Sequence, residues 1–285
     1  MKILLTGADG FIGKNFLEKY SDKYEIFAPT SEELELGDIR KVAAYFEGKS
    51  FEAVVHAAEN NENTLVEFKN VQYESVLHGV KKLIIVSNAS DIDTGAPLEN
   101  ADESTFSARM PKSETGVARH VITTLASKDK ISTVLRFFGV YGKYLSVEKS
   151  KIMELMARGV TGKKTAVVER DLEFSAICID DALKVIAAFL DGDIVRGAYN
   201  VASDAPLKLS SVARTARRLA AKDGREVTVE ILSDESAPNF TASGGKLKAA
   251  MPKLRFTAHS TALKAVYEHL KRHKSEARPK SQGVS

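Results

Sequence analysis

The stretch "LLTGADGFIG", residues 4–13, decides the fold of this 285-residue chain. An apolar run leads into Gly7, Gly10 and Gly13 follow at intervals of three, and "IGKNFLEKY" then takes up a helical pattern. Glycines at these places allow a tight strand-to-helix turn with no Cβ in the way. A pyrophosphate can then approach backbone N–H groups at the helix N-terminus. A purely structural glycine turn is the competing reading. The strand before, the helix after and the position at the head of the sequence favour dinucleotide binding.

Further apolar runs follow at "EIFAPT" (25–30), "AVVHAA" (53–58), "LIIVSN" (83–88) and "STVLRFFGVYG" (132–142). Their near-continuous apolarity is that of strands covered on both faces. Amphipathic segments such as "DIRKVAAYFEG" (38–48) and "SETGVARHVITTLASK" (113–128) lie between them. Val117, Val121, Ile122 and Leu125 of the latter stand at helical spacing and predict a packing face. Alternating strands and helices predict an α/β fold, a Rossmann-type doubly wound parallel sheet, over residues 1–145. Residues 146–270 carry shorter, mixed pieces, including an expected strand pair at "KTAVVERD" and "FSAICI", and predict a smaller C-terminal α/β substrate lobe. Some of this part is expected to cross back to the sheet. Residues 271–285, with Lys271, Arg272, Lys274, Arg278 and Lys280, read as a solvated basic tail.

The formal net charge of +3 gives no argument for a nucleic-acid partner. The single cysteine, Cys178, excludes an intramolecular disulfide and sits in an apolar run as a small hydrophobe. No apolar stretch approaches the ~20 residues that span a bilayer, and the chain starts on a strand-like "MKILLTG" with no basic-plus-apolar leader. The expectation is a soluble cytoplasmic protein with no membrane partner. The six histidines (56, 78, 120, 259, 269 and 273) read as scattered, without metal-ligand spacing, so no metal is expected. Asp180 and Asp181 read as a helix N-cap, and no Gly-x-Ser-x-Gly elbow is present.

The Gly-x-x-Gly-x-x-Gly spacing with "GFIG" resembles the extended short-chain dehydrogenase/reductase family of nucleotide-sugar epimerases, dehydratases and reductases. "LELGDIRKVAAYFEGKSFEAVVHAA", "GVKKLIIVSNAS", "LRFFGVYG", "RDLEFSAICIDDAL" and "YNVAS" continue the resemblance in order along nearly the whole chain. The resemblance implies that Gly7, Gly10, Phe11, Ile12 and Gly13 hold the pyrophosphate of NAD or NADP. It places Asp38 and Ile39 beside the adenine and Ala57 and Ala58 along the cofactor cleft. Gly139, Arg170 and Asn200 fall at substrate-side positions, for a nucleotide-diphosphate sugar or related small molecule. A homodimer formed through the helix that bears the family's tyrosine is also implied. An acid closing the second strand would favour NAD, but "APTSEE" puts Glu32 and Glu33 late and leaves both cofactors open.

The catalytic positions depart from the family. Its Tyr-x-x-x-Lys, a phenol whose pKa a nearby lysine lowers, falls on Met110 and Glu114. Its Ser/Thr after the fourth strand falls on Asn88, with Ser87 and Ser90 close by. Its Asn before Val-Tyr-Gly is Gly139. Residues 101–120 contain no tyrosine, and Tyr45…Lys49 and Tyr267…Lys271 lie in the wrong helices. Residues 58–79 leave room only for a clipped helix along one flank of the cofactor. Two functional readings result: an NAD(P)-dependent nucleotide-sugar enzyme with a non-standard site, or a catalytically degenerate dinucleotide-binding sensor, scaffold or subunit.

Overall fold

The computed structural model describes residues 1–59, 63–93, 95–162, 165–171, 173–232 and 239–277, so Arg278 and Lys280 lie outside the described residues. Six parallel strands make the central sheet: β1 (Lys2–Thr6), β2 (Glu25–Phe27), β3 (Ala53–His56), β4 (Lys82–Asn88), β6 (Ser132–Phe137) and β11 (Gly197–Val201). Their order is β11-β6-β4-β3-β1-β2. Side chains alternate across the sheet. Ile3, Leu5, Val55 and Ile84 pack beneath α1 (Phe11–Tyr20) and α7 (Ile179–Asp191). Leu4, Val54, Leu83 and Ile85 pack against α2 (Ile39–Phe46), α3 (Thr64–Leu77) and α5 (Glu114–Ala126). Both faces are covered, which is why the strand middles, such as Ile3–Leu5, Ala53–Val55, Leu83–Val86 and Val134–Leu135, are apolar, with polar residues at or near the strand ends. The flank between β3 and β4 accommodates a 14-residue helix, α3.

The second part is built on α6 (Lys151–Thr161), α8 (Leu209–Lys222) and α10 (His259–Arg272), which share a core through Met156, Val212, Leu219 and Leu263. Here the expected strand pair is not formed. β8 (Thr165–Val168) pairs in parallel with β13 (Thr228–Ile231), while β10 (Ile177–Cys178) pairs with β7 (Val140–Tyr141). A small sheet joins β12 (Leu207–Lys208), β9 (Glu173–Phe174), β14 (Phe240–Ala242) and β5 (Leu98–Ala101). Two short helices, α4 (Thr105–Ala108) and α9 (Gly245–Ala250), complete the described elements. The basic end is less detached than its composition suggests. α10 runs to Arg272, Lys271 pairs with Asp223 at 2.7 Å, and Ala277 is buried in the core of this part.

Asp180 and Asp181 are first-turn residues of α7 rather than its N-cap, which is Cys178. Asp180 pairs with Lys19 on α1, and the buried Asp181 accepts from Thr257 N at 2.6 Å, tying the approach to α10 onto α7. Asp180 therefore joins two helices on one face of the sheet, and Asp181 joins that layer to the second part. Among the described residues, no helix is long and apolar enough to cross a membrane.

His56 ends β3 fully buried, with Nδ1 2.8 Å from Thr6 Oγ1, and desolvation pulls its pKa from 6.5 down to about 4. As pH falls below 6.5 the unfolded chain takes up a proton that the native state refuses until about pH 4. Stability is expected to drop across that window by roughly 3 kcal/mol from this residue, at ~1.4 kcal/mol per pH unit. Urea denaturation followed by circular dichroism between pH 7 and pH 4.5 measures the slope. His56→Gln should flatten it, and an unchanged slope would remove the assignment.

Candidate functional site

The cleft lies at the carboxyl ends of β1, β3 and β4, where the strand order reverses between β1 and β3. This is the switch point at which open α/β sheets bind ligands. It encloses about 640 Å³ and is lined by Gly7, Gly10, Phe11, Ile12, Ala57 and Ala58, with Pro29, Thr30 and Ser31 on the β2 side. Gly7 takes the left-handed conformation, φ +71°, and a Cβ there would lie 2.5 Å from Ala58 N. A Cβ on Gly13 would lie 2.1 Å from Gly7 O. Gly10 caps α1 in extended backbone with no side-chain bond to the first turn, so the N–H groups at that helix end point at the cleft unclaimed by a cap. These residues fit a pyrophosphate: N–H donors, the positive end of a helix, and no Cβ between them and the ligand.

The adenine side differs from expectation. Asp38 is the N-cap of α2, accepting from Arg40 N at 2.9 Å, a bond that holds its carboxyl below the usual range. Ile39 is exposed, and neither residue lines the cleft; Leu34, Glu35 and Leu36 form that wall instead. Glu33 accepts from Thr30 N at 2.8 Å while Thr30 Oγ1 accepts from Glu33 N, a reciprocal pair that turns the carboxylate away from a ribose. Asp9, Glu35, Glu59 and Glu67 also face the cleft, with Lys149 as the cation among the lining residues.

At the other end, Ser87 is buried and Asn88 Oδ1 accepts from Ser90 N at 3.0 Å, capping a short 3-10 turn over Ala89–Asp91. Met110 and Glu114 do not share a helix face. Ser113 caps α5, so the helix begins at Glu114, and Met110 stands ahead of it, 62% exposed to solvent. Glu114 is exposed as well, and so is Val117, expected on the packing face; Gly116, Arg119, Ile122, Thr123 and Ala126 are buried in its place.

The α5 residue that meets the edge of the cleft is Arg119, within "TGVAR", with Thr115 four positions ahead of it. Arg119 is buried, donates from Nη1 to Ser90 Oγ at 2.8 Å, and pairs through Nη2 with Glu59, which lines the cleft. Thr115 is half-buried one turn before it on the same stripe. Sequence reasoning fixed on tyrosine and missed this register. The signal was Gly116, a helical glycine pressed so close to the turn after β4 that a Cβ would lie 2.6 Å from Ser90 O. A buried positive charge, the Arg119 guanidinium, thus stands beside the cleft.

Beneath this end lies a fully buried network. Arg136 on β6 holds both carboxylate oxygens of Asp91, Nε–Oδ1 at 2.6 Å and Nη2–Oδ2 at 2.7 Å. Thr123 donates to Asp91 Oδ2 and His120 Nδ1 meets Asp91 O at 2.9 Å, tying α5 to the turn. Arg136 Nη1 donates to Asn200 Oδ1 at 2.8 Å, and Asn200 Nδ2 donates to Ala101 O. Asn200, expected at the substrate, is therefore a buried strut between β6, β11 and β5. Gly139 lies where a Cβ would come within 3.0 Å of Ser175 O, so the backbone of the 175–177 segment fills the place of a side chain. Arg170 is exposed in the loop after β8, with no ion-pair partner among the described residues. Of the histidines read as scattered, His269 and His273 meet Glu276 at the end of α10.

Residues 1–83 match the sequence model of the RmlD substrate binding domain family. The GDP-L-colitose synthase of Yersinia pseudotuberculosis is 42% identical over 59 residues, 20% of this chain and 19% of that protein, so the match spans about a fifth of the curated relative. The NADP-bound GDP-mannoheptose C4 reductase MlghC of Campylobacter jejuni superposes with a TM-score of 0.79 at 17% identity, over 95% of this chain and 98% of that one. A GDP-L-fucose synthetase of Naegleria fowleri gives 0.82 at 17% identity, over 97% and 94%. The chain has the fold of the extended short-chain dehydrogenase/reductases, and its first strands and cradle carry their sequence signature too.

Proposed function

We propose that this chain binds a nicotinamide dinucleotide in the β1–β3 cleft and acts as a reductase on the keto sugar of a nucleotide-diphosphate sugar. The observation that carries the reading is Arg119, a buried cation set between Ser90 and Glu59 at the carboxyl ends of β3 and β4. Gly7, Gly10, Phe11, Ile12 and Gly13 would hold the pyrophosphate, and Ala57 and Ala58 the inner wall. The dinucleotide would supply the hydride. As a carbonyl carbon accepts hydride its oxygen becomes an alkoxide, and a fixed guanidinium in a partly dry site stabilises that charge. Thr115 and Ser90 hydroxyls offer a route for a solvent proton to the oxygen. Without a phenol the reaction forgoes the ~10²–10⁴-fold that general acid catalysis supplies, so turnover is expected to be slow. Thr30 and Ser31 hydroxyls at the ribose wall, with Glu33 engaged elsewhere, favour NADP over NAD.

Titration with NADPH and NADH, followed by absorbance at 340 nm with GDP- and dTDP-linked 4-keto sugars, tests this. NADPH is expected to bind more tightly and to be consumed slowly. Arg119→Ala should lower turnover at least about 100-fold while NADPH still binds, and Arg119→Lys should keep part of the rate. Binding without oxidation of NADPH in the wild type would leave the degenerate-sensor reading in its place. An Arg119→Ala rate equal to wild type would remove Arg119 from the chemistry.

We infer also that two copies of the chain pair through α3 and α5. Val66, Tyr73, Val76 and Leu77 of α3 and Val117 of α5 are exposed, and the two helices pack side by side. Tyr73→Glu with Leu77→Glu is expected to convert a dimer to a monomer in size-exclusion chromatography with light scattering. A wild-type monomer at micromolar concentration would refute the pairing.

A further inference from the structure

The last turn of α10 carries His269, and His273, four residues on, is the C-cap of the helix. Their rings stack with centroids 4.4 Å apart and 29° between planes. The chain then folds back, Glu276 N donating to His273 O at 2.9 Å, which sets Glu276 Oε2 2.9 Å from His269 Nε2. One ligand-type atom from each of the three lies within 4.8 Å of the others.

Two features distinguish this from a chance surface cluster. His273 Nδ1 lies 3.0 Å from the carbonyl of His269. A carbonyl only accepts, so Nδ1 carries the hydrogen and the Nε2 lone pair is left free, the arrangement in which a backbone carbonyl orients a metal-ligating imidazole. His269 is only 12% exposed and meets the Tyr144 ring edge-on at 6.1 Å. Tyr144 is itself held by its hydroxyl to Glu18 at 2.8 Å, so the wall against His269 is fixed. Nitrogen and oxygen ligands at ~2.0–2.1 Å from a tetrahedral ion stand about 3.4 Å apart. His269 and Glu276 would need to part by only about half an ångström.

We propose that His269, His273 and Glu276 form a three-ligand site for a zinc-type divalent cation, with water in the fourth position. The site lies on the last helix and stands whether or not the dinucleotide reading holds. On binding, the hydrogen at His269 Nε2 leaves to solvent and the ring keeps one on Nδ1, so the ion meets the Nε2 lone pairs of two neutral imidazoles and the Glu276 carboxylate. Two imidazoles with one carboxylate suit zinc and disfavour magnesium or calcium, which take oxygen ligands. An ion there would fasten the turn after α10, and with it the buried Ala277, to the helix.

Isothermal titration of the full chain, freed of any polyhistidine tag, with zinc chloride and with magnesium chloride tests the site. One zinc per chain is expected, with no magnesium heat and a rise in melting temperature on adding zinc. His273→Ala and Glu276→Gln should each weaken zinc binding at least about 10-fold. Both side chains are on the surface, and unchanged zinc-free melting curves would show that the variants fold. No zinc binding by the wild type at about 100 µM, or equal binding by wild type and both variants, would overturn the proposal.

Discussion

Asp91→Ala is expected to lower the unfolding free energy by about 3–5 kcal/mol, the cost of leaving a buried charge unpaired. Asp91 and Arg136 are both 0% exposed, and Asp91 is the carboxylate that the described residues pair with Arg136, at two points. The loss would go beyond one ion pair. Thr123 loses its acceptor, and the turn after β4 loses one of its ties to α5. With total stabilities of about 5–15 kcal/mol for such domains, much of the protein is expected to be insoluble. Urea denaturation followed by circular dichroism gives the value directly. Arg136→Met combined with Asp91→Leu should recover much of the loss, because it removes both charges and fills the space. A single variant within about 1 kcal/mol of wild type would show that water reaches the pair and that the network is not what holds the site's floor.

The second large effect is expected at Gly7. Gly7→Ala should weaken NADPH binding by more than about 100-fold, equivalent to ~2.8 kcal/mol. The added Cβ meets backbone at 2.5 Å (Ala58 N) and 2.6 Å (Ala57 C), neither of which can rotate away. The turn must lift off the end of β3, and the N–H groups of the cradle move with it. A left-handed residue with a Cβ adds roughly 1–2 kcal/mol of strain. Gly48→Ala separates the two causes, since Gly48 has nearly the same φ, +68°, with nothing within 4 Å of its Cβ position. It should lose stability and keep NADPH. Equal binding by wild type and Gly7→Ala, measured by titration calorimetry, would move the dinucleotide out of this cleft.

The central sheet was legible because strands buried on both faces must be apolar through their middles, and "AVV" (53–55) and "LIIV" (83–86) say so without reference to anything distant. The cradle was legible because its steric demand is local: Gly7, Gly10 and Gly13 serve one turn. The α5 site was not. The helix itself was read from Ser113, a good N-cap residue, but the expected pair was set on Met110 and Glu114, and Met110 stands ahead of the helix that begins at Glu114. Once the start is fixed, the inward stripe runs through Gly116, Arg119, Ile122, Thr123 and Ala126. The role of Asn200 was illegible for a different reason, since its partners, Arg136 and Ala101, are 64 and 99 residues away in sequence. Two-residue strands such as β7 and β10 likewise have no periodicity to read, and only tertiary packing chooses their partners.

The path of the chain through the sheet has a practical consequence for dissecting the protein. β11 and α7 come from residues 179–201 yet complete the sheet begun by β1, while β5 comes from residues 98–101 yet joins the small sheet with β9 and β14. The chain is laced rather than strung. A single cut between β6 and β11 strips the main sheet of its edge ladder, and the same cut leaves the small sheet without β5. Truncation libraries, split reporters and fusions at a supposed domain border will therefore yield two incomplete pieces, and the chain has to be handled as one cooperative body.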